Sequence, residues 1–270
     1  MSLSAEYIQT PVRTLNPASL EVRLAKTSLD LEAAQRLRYQ VFYEEMGATP
    51  LAHDIWRRLD TDRFDALCDH LLVIDPMLPK EQSVVGTYRL LPGSRLDDPA
   101  NFYSASEFDL APMLANGPAL DRLLECGRSC VAKGYRGNRT VQMLWRGIAA
   151  YMADHQIEAM FGCASLPGTN AAALAPQLSF LHHQALAPLP LRVTALPERA
   201  AAVGQQNCPM PDKRAFLKNL PPLIKAYLRL GAWVGDGASI DHQFDTTDVF
   251  VLLPTNRIPS RYYAHFDRPF

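Results

Sequence analysis

The sequence predicts a single α/β domain with a mixed central sheet flanked by helices. Three observations lead there. Strand-like and helix-like stretches alternate in the order β-α-loop-β-β-α-β-α-β-α-α-β. The runs at 68–75 (CDHLLVID) and 83–91 (SVVGTYRLL) are largely apolar throughout, as strands covered on both faces are. In the stretch 139–156, Val141, Leu144, Trp145, Ile148, Ala149 and Met152 fall on one stripe at helical period. At 270 residues and 48% hydrophobic, the chain can bury one substantial core or two small ones.

Residues 1–19 are polar, hold Pro11 and Pro17, and are expected to form a loose arm. Residues 20–26 alternate, with Leu20, Val22 and Leu24 on one face, and predict a first strand. Thr27 and Ser28 can cap a helix whose first turn carries Asp30 and Glu32 and which stops at Gly47. Its core stripe is Leu31, Ala34, Leu37 and Val41, with Arg38, Phe42 and Glu45 on a neighbouring face. Residues 48–66 break the pattern in a loop rich in Asp, Arg and Trp.

After the two apolar strands, 105–115 predicts a short helix, 121–131 a strand, 139–156 the striped helix and 157–164 another strand. Residues 170–186 look helical, and 187–215 carries no assignable pattern. Pro221-Pro222 and Gly231 bracket a further short helix. Gly235-Asp236-Gly237 is a turn, and 247–253 a last strand. The expected organisation is one domain at 20–255 with an insertion at about 170–219, and a tail at 256–270.

A net charge of −1 gives no global attraction to nucleic acid, so an electrostatic partner must be met by a local patch. Five cysteines without a CxxC pair read as reduced, buried thiols; Cys126 and Cys130, four apart on a strand, are about 13 Å from each other. No His/Cys/Asp group has metal-ligand spacing and no Ser-His-Asp elbow appears, so neither a metal nor a bound cofactor is expected. His70 reads as a core histidine and His182-His183 as exposed helix. No apolar signal core or membrane span is legible. The expectation is a cytoplasmic protein, with peripheral contact at the inner face of the membrane left open.

The turn joining the 121–131 strand to the striped helix places Lys133, Arg136 and Arg139 with Gly134 and Gly137 at a helix N-terminus. Unpaired backbone N–H groups and the helix dipole make such a turn an anion site, here expected to take a phosphate.

The ordered segments resemble the GCN5-related N-acetyltransferase (acyl-CoA N-acyltransferase) fold. Acyl-homoserine-lactone synthases share the spacing Arg38-x-x-x-Phe42, then Trp56, Asp60 and Asp65, then Arg89-Leu90-Leu91-Pro92 and Glu125-x-x-Arg128. A closer resemblance is to the bacterial ornithine-acyl carrier protein N-acyltransferase family, sometimes labelled hemolysin-like. It rests on Cys68-Asp69-His70-Leu71-Leu72-Val73, Gly127-Arg128-Ser129-Cys130-Val131, Tyr135-Arg136 and Leu144-Trp145-Arg146-Gly147-Ile148. It rests further on Leu220-Pro221-Pro222-Leu223-Ile224-Lys225, Gly235-Asp236-Gly237 and Thr246-Thr247-Asp248-Val249. The set covers about residues 30 to 255.

That resemblance implies transfer of a 3-hydroxyacyl chain from acyl carrier protein to the α-amine of ornithine, giving lyso-ornithine lipid. Acetyltransferases usually carry small residues at the fourth and sixth places of their pyrophosphate loop. Here Arg136-Gly137-Asn138-Arg139-Thr140-Val141 puts Arg and Val there. The turn therefore suits one phosphate on an acidic carrier protein better than a tightly wrapped pyrophosphate.

Aminolysis of the thioester needs a base for the ammonium proton. Glu125 is the candidate, with Arg128 and Asp60 beside it in the catalytic set; the alternative is a structural Glu125–Arg128 ion pair. Backbone N–H groups near residues 128–131 are the expected oxyanion donors. Asp60, Asp65 and Asp69 are candidates for holding the amines, and Arg38 or Arg89 the carboxylate. Phe42 and Trp56 either wall the acyl groove or pack in the core. Lys133, Arg136, Gly137 and Arg139 are assigned to the donor. Two rivals remain. A lactone synthase would need S-adenosylmethionine and leaves the long segment after Leu166 without a role. A hemolysin-like membrane-active protein would need an apolar span the sequence lacks.

Overall fold

A computed structural model describes residues 20–201 and 220–260. The expected arm, Cys208 with the rest of 202–219, and 261–270 of the expected tail lie outside the described residues. In chain order the elements are β1 (Glu21–Leu24), α1 (Ser28–Tyr39), α2 (Ala52–Arg57), β2 (Asp69–Ile74), β3 (Val84–Pro92), β4 (Phe108–Asp109), α3 (Ala111–Asn116) and β5 (Leu123–Val131). They continue as α4 (Asn138–Asp154), β6 (Ala159–Pro167), α5 (Ala171–Ala185), β7 (Thr194–Ala195), α6 (Pro222–Leu230), β8 (Trp233–Val234), β9 (Ser239–Asp241) and β10 (Thr246–Pro254).

Among the described residues, eight strands form one mixed sheet in the order β1-β2-β3-β5-β6-β10-β8, with β9 pairing the other end of β10. Only β5 and β6 run parallel; the remaining pairs are antiparallel. Strand alternation then sorts the core. Leu71, Val73, Met160, Val249 and Val251 face α4, α5 and α6 in one apolar cluster. Phe161, Phe250 and Leu252 face Phe102, Phe108 and Met113 in a second, and Leu72 and Ile74 meet Ala34, Leu37 and Val41 of α1 in a third. Both faces are covered, which is why the strands read as nearly unbroken apolar runs. Among the described residues, no helix is long and apolar enough to cross a membrane.

Helix α1 starts at a capping box: the Thr27 hydroxyl accepts from the Asp30 N–H, and the Asp30 carboxylate accepts from the Thr27 N–H. The helix expected to run to Gly47 changes character at Gln40, where residues 40–45 widen into a π-helical turn ended by Gly47 at φ 81°. The wider turn carries Phe42 to the cavity described below and Tyr43 to Asp60. The expected loop 48–66 contains α2, and the helix expected at 105–115 is shorter. Phe108 and Asp109 instead pair with Ala195 and Thr194, and α3 begins only at Ala111. His182 is not exposed as expected; it is largely covered, with Nδ1 3.4 Å from Asp236.

Gly162 packs against the backbone of β5 at Cys126, just past the last paired residues of the β5–β6 ladder. A Cβ there would sit 2.3 Å from the Cys126 carbonyl oxygen, a backbone atom that cannot move alone. Gly162→Ala is expected to cost about 1–3 kcal/mol, read from urea unfolding. A loss under about 0.5 kcal/mol would mean the two strands separate without strain.

Candidate active site

The parallel β5–β6 ladder covers only Leu123↔Ala159, Leu124↔Met160 and Glu125↔Phe161, although both strands continue six residues further. Past Glu125 the strands splay. Opposite β3, the register shifts so that Arg128 and Ser129 together face the single residue Tyr88, a β-bulge. Arg128 takes φ 51°, unusual for a residue with a side chain and a mark of a constrained site. Bulge and splay together open a cavity of about 480 Å³ into which residues 125–131 of β5 turn one edge.

The walls of that cavity divide by chemistry. Phe42, Val131, Val141, Leu144, Trp145 and Leu223 supply an apolar side, while Arg89, Glu125, Arg128, Asp241 and Asp248 supply ionisable groups. Glu125 is buried, its Oε2 accepting from the Tyr103 N–H at 2.8 Å and its Oε1 from the Ser104 N–H at 2.7 Å. Burial raises its carboxyl above the usual carboxylate range in spite of those bonds. The expected alternative of a Glu125–Arg128 ion pair is not formed. Arg128 reaches Asp60 and Asp62 at 3.2 Å each and lies over the Tyr103 and Phe244 rings.

Beneath the cavity is a buried ionic cluster. Arg38, 0% exposed, donates from Nε to Asp60 at 2.6 Å and from Nη1 to Asp65 at 2.8 Å; its Nη2 reaches the Asp60 carbonyl at 2.6 Å and Asp65 at 3.1 Å. Tyr43 donates to Asp60, Gln35 to Asp65, and Arg89 to Asp62 and Asp65. Burial alone would push the Asp60 carboxyl up, but Arg38 and Arg128 outweigh it and hold it below the usual range. Asp65 is held low in the same way by Arg38 and Arg89.

These placements correct several expectations. Arg38 has its donors engaged by Asp60 and Asp65 and does not line the cavity, which sets it apart from the position expected for a carboxylate partner. Asp60 and Asp65 are committed in turn to arginines and do not line it either. Asp69 pairs with Arg95 and accepts from Tyr151, away from the cavity. Trp56 stands 91% exposed on α2 and walls nothing. Phe42, Arg89, Glu125, Arg128 and Arg136 do line the cavity. Gly137 is the N-cap of α4 and Lys133 is exposed in the turn before it; Arg136 pairs with Glu45. His70 is buried, with Nε2 3.0 Å from the Asp65 carbonyl.

Two features escaped the sequence reading. Asp62 accepts from both Arg89 and Arg128, so it ties the two cavity-facing cations together. Glu107, Cys163 and Asp248, far apart in the chain, converge with their ligand-type atoms within 4.8 Å of one another, an arrangement that could hold a cation and that spacing along the chain does not reveal. An aspartate in the apolar run TDVFVLL was the one available signal.

A profile of the acetyltransferase (GNAT) domain matches residues 37–146, from the last turn of α1 into the first half of α4, and includes the splayed strand β5. The solved structure of FeeM, an N-acyl amino acid synthase from uncultured soil microbes, superposes with a TM-score of 0.50 at 10% identity, covering 88% of this chain and 92% of that one. That likeness speaks for the fold. The L-ornithine N(alpha)-acyltransferase of Brucella abortus is 49% identical over 250 residues, 92% of this chain and 89% of that protein. The protein of the same name from Agrobacterium fabrum is 46% identical, over 92% and 85%. An acyltransferase fold, its opened central strand and near-half identity along almost the whole length agree: the chain belongs to the L-ornithine N(alpha)-acyltransferase family.

Proposed function

We propose that this chain moves a 3-hydroxyacyl group from the phosphopantetheine thioester of acyl carrier protein to the α-amine of L-ornithine, the first step toward an ornithine lipid. The carrying observation is its 44–49% identity, over 92–93% of its length, to relatives named for N-acylation of ornithine. The apolar wall formed by Phe42, Val131, Val141 and Trp145 suits an acyl chain, and the exposed edge of β5 beyond Glu125 suits a pantetheine arm.

In the reaction the α-amine attacks the thioester carbon, the C–S bond breaks and an amide forms. The starting ammonium yields two protons; one ends on the leaving thiol, whose pKa of about 8.5 makes it a fair leaving group, and one goes to solvent. Glu125 is the proposed base, directly or through a water, since burial raises its basicity and it lies at the mouth of the splay. Backbone N–H groups near residues 128–131 are the proposed oxyanion donors. Arg128 and Arg89 are the proposed partners of the substrate carboxylate. Arg38, Asp60 and Asp65 are assigned to holding those two cations in place. The thioester is itself activated, so the chemistry requires no resident cofactor or metal.

The donor is assigned to the turn before α4. Lys133, Arg136 and Arg139 put positive charge at a helix N-terminus, next to the cavity that Arg136 lines. Arg136→Glu with Arg139→Glu is expected to raise the KM for acyl carrier protein about tenfold or more while leaving the melting temperature within a few degrees. An unchanged KM would remove this turn from the donor site. The product is an amphiphile bound for the membrane, and peripheral contact there forms part of the proposal.

Mass-spectrometric detection of product tests the whole reading. Purified protein is given 3-hydroxyacyl carrier protein or the matching coenzyme A thioester and a panel of amino acids, with S-adenosylmethionine in a separate arm. N-(3-hydroxyacyl)ornithine from the carrier-protein donor is the expected product. A lactone formed only with S-adenosylmethionine would overturn the reading.

A further inference from the structure

The cavity contains an acidic group that the transfer step does not use. Asp248 enters from β10 and lines the cavity, with Asp241 of β9 opposite; Cys163 of β6 lines it too. Glu107 stands behind them, 0% exposed, just before β4. Neither oxygen of Glu107 has an N–H or O–H donor, the Cys163 thiol being the one weak donor beside it, and Oδ1 of Asp248, a residue only 5% exposed, has no hydrogen-bond partner. Three buried acceptors are thus left without an N–H or O–H donor in one place. Such groups are costly to bury and are normally satisfied in the working state of a protein.

A cation would satisfy all three at once. Glu107 faces Asp248 and Asp241, both of its own sign, and among the described residues the basic side chain with the largest influence on it is the exposed Arg199. Asp248 faces Asp241 on one side and feels Arg128 on the other. Burial, then Asp248 and Asp241, push the Glu107 carboxyl up to about 7, and burial pushes that of Asp248 up to about 6. An alkylammonium has three N–H donors in a compact head, one for each orphan acceptor.

The position relative to Glu125 fits a short diamine. Ser104 donates its N–H to Glu125 at 2.7 Å, and its hydroxyl lies 3.5 Å from the Cys163 sulfur. Cys163 is in turn within 4.8 Å of Glu107 and Asp248. One residue therefore separates the proposed base from the acidic group. Ornithine places three methylenes between its α-carbon and its second nitrogen.

We infer that Glu107 and Asp248, flanked by Cys163 and Asp241, form the subsite that receives the side-chain ammonium of the acceptor and selects ornithine over uncharged amino acids. This rests on the proposed N-acylation of ornithine. An amino acid of the same length without the terminal amine leaves two buried carboxylates unpaired, and sites of that kind reject such analogues strongly.

The test compares L-ornithine with L-norvaline, the same skeleton without the terminal nitrogen, in the wild type, Glu107→Gln and Asp248→Asn. The expected result is a fall of about 10²-fold or more in the ornithine-to-norvaline ratio of kcat/KM in each variant, with norvaline turnover unchanged or improved. Because the ratio is taken within one sample, partial loss of folded protein cancels. Removing one of two facing buried carboxylates should leave the melting temperature at pH 7 unchanged or higher. A ratio that stays within about threefold of wild type would overturn the subsite. So would a stoichiometric divalent metal in the purified protein that both variants lose, since the acids would then be metal ligands. If the wild type acylates neither amino acid, the reaction assignment fails. Calorimetric binding of ornithine against norvaline then decides the subsite separately, and equal affinities would overturn it.

Discussion

Arg38→Ala is expected to lower the unfolding free energy by about 3–5 kcal/mol, the usual cost of leaving buried charges without their partner. Arg38 is wholly buried and donates to Asp60, to Asp65 and to the Asp60 backbone. Its removal opens a cavity and leaves two buried carboxylates without the cation they share. Arg89 and Arg128 still reach Asp65 and Asp60, but each is shared with Asp62 and neither can fill the space. Urea melts read the loss directly. Asp60→Asn on its own should also destabilise, and Arg38→Met combined with Asp60→Asn should lose less than the two single losses added, because the buried charge is removed from both sides. A loss below about 1 kcal/mol for Arg38→Ala would mean that water reaches the carboxylates and that the cluster is not the floor of the cavity.

That cluster also marks where the sequence stops being informative. Period alone locates α1, α4 and the apolar strands, because burial of one stripe or of both strand faces leaves a direct trace in residue order. The loop from 48 to 66 leaves none. Asp60, Asp62 and Asp65 look alike in sequence, yet their environments differ. Asp60 and Asp65 sit under Arg38, while Asp62 bridges Arg89 and Arg128 nearer the cavity. Trp56 reads equally well as core or wall and is neither, since an aromatic side chain does not state which way its helix faces. The π-helical turn at 40–45 and the bulge at Arg128 are one-residue departures from a regular period, invisible to a pattern that tolerates them, and both re-aim side chains into the cavity. Glu107 and Asp248 are brought together by β10 lying beside β6 and by the short β4–β7 pair, contacts between segments distant in the chain. The exception is Asp248 itself. A carboxylate in the middle of a buried strand is improbable on solvation grounds, and that improbability is legible without any structure.

Glu125→Gln is expected to reduce kcat by about 10²–10⁴-fold, the range associated with a positioned proton acceptor, while the KM for ornithine changes by only a few-fold. The pH profile separates this from a structural effect. A carboxyl raised by burial binds its proton above the usual carboxylate range, so kcat should rise with pH through that raised value as Glu125 loses its proton. The limb should vanish in Glu125→Gln and persist, displaced, in Glu125→Asp. The substitution also has a structural side. An amide offers only one acceptor oxygen where two backbone N–H groups, those of Tyr103 and Ser104, each require one. The segment 103–104 therefore loses a hydrogen bond, and a drop in melting temperature is expected in the same variant. The two effects are told apart by the residual enzyme: a merely loosened segment lowers activity without moving the acid limb, whereas loss of the base removes it. If kcat stays within about threefold of wild type and the limb remains, Glu125 serves only to anchor 103–104. The ammonium proton must then leave by water in the splay between β5 and β6.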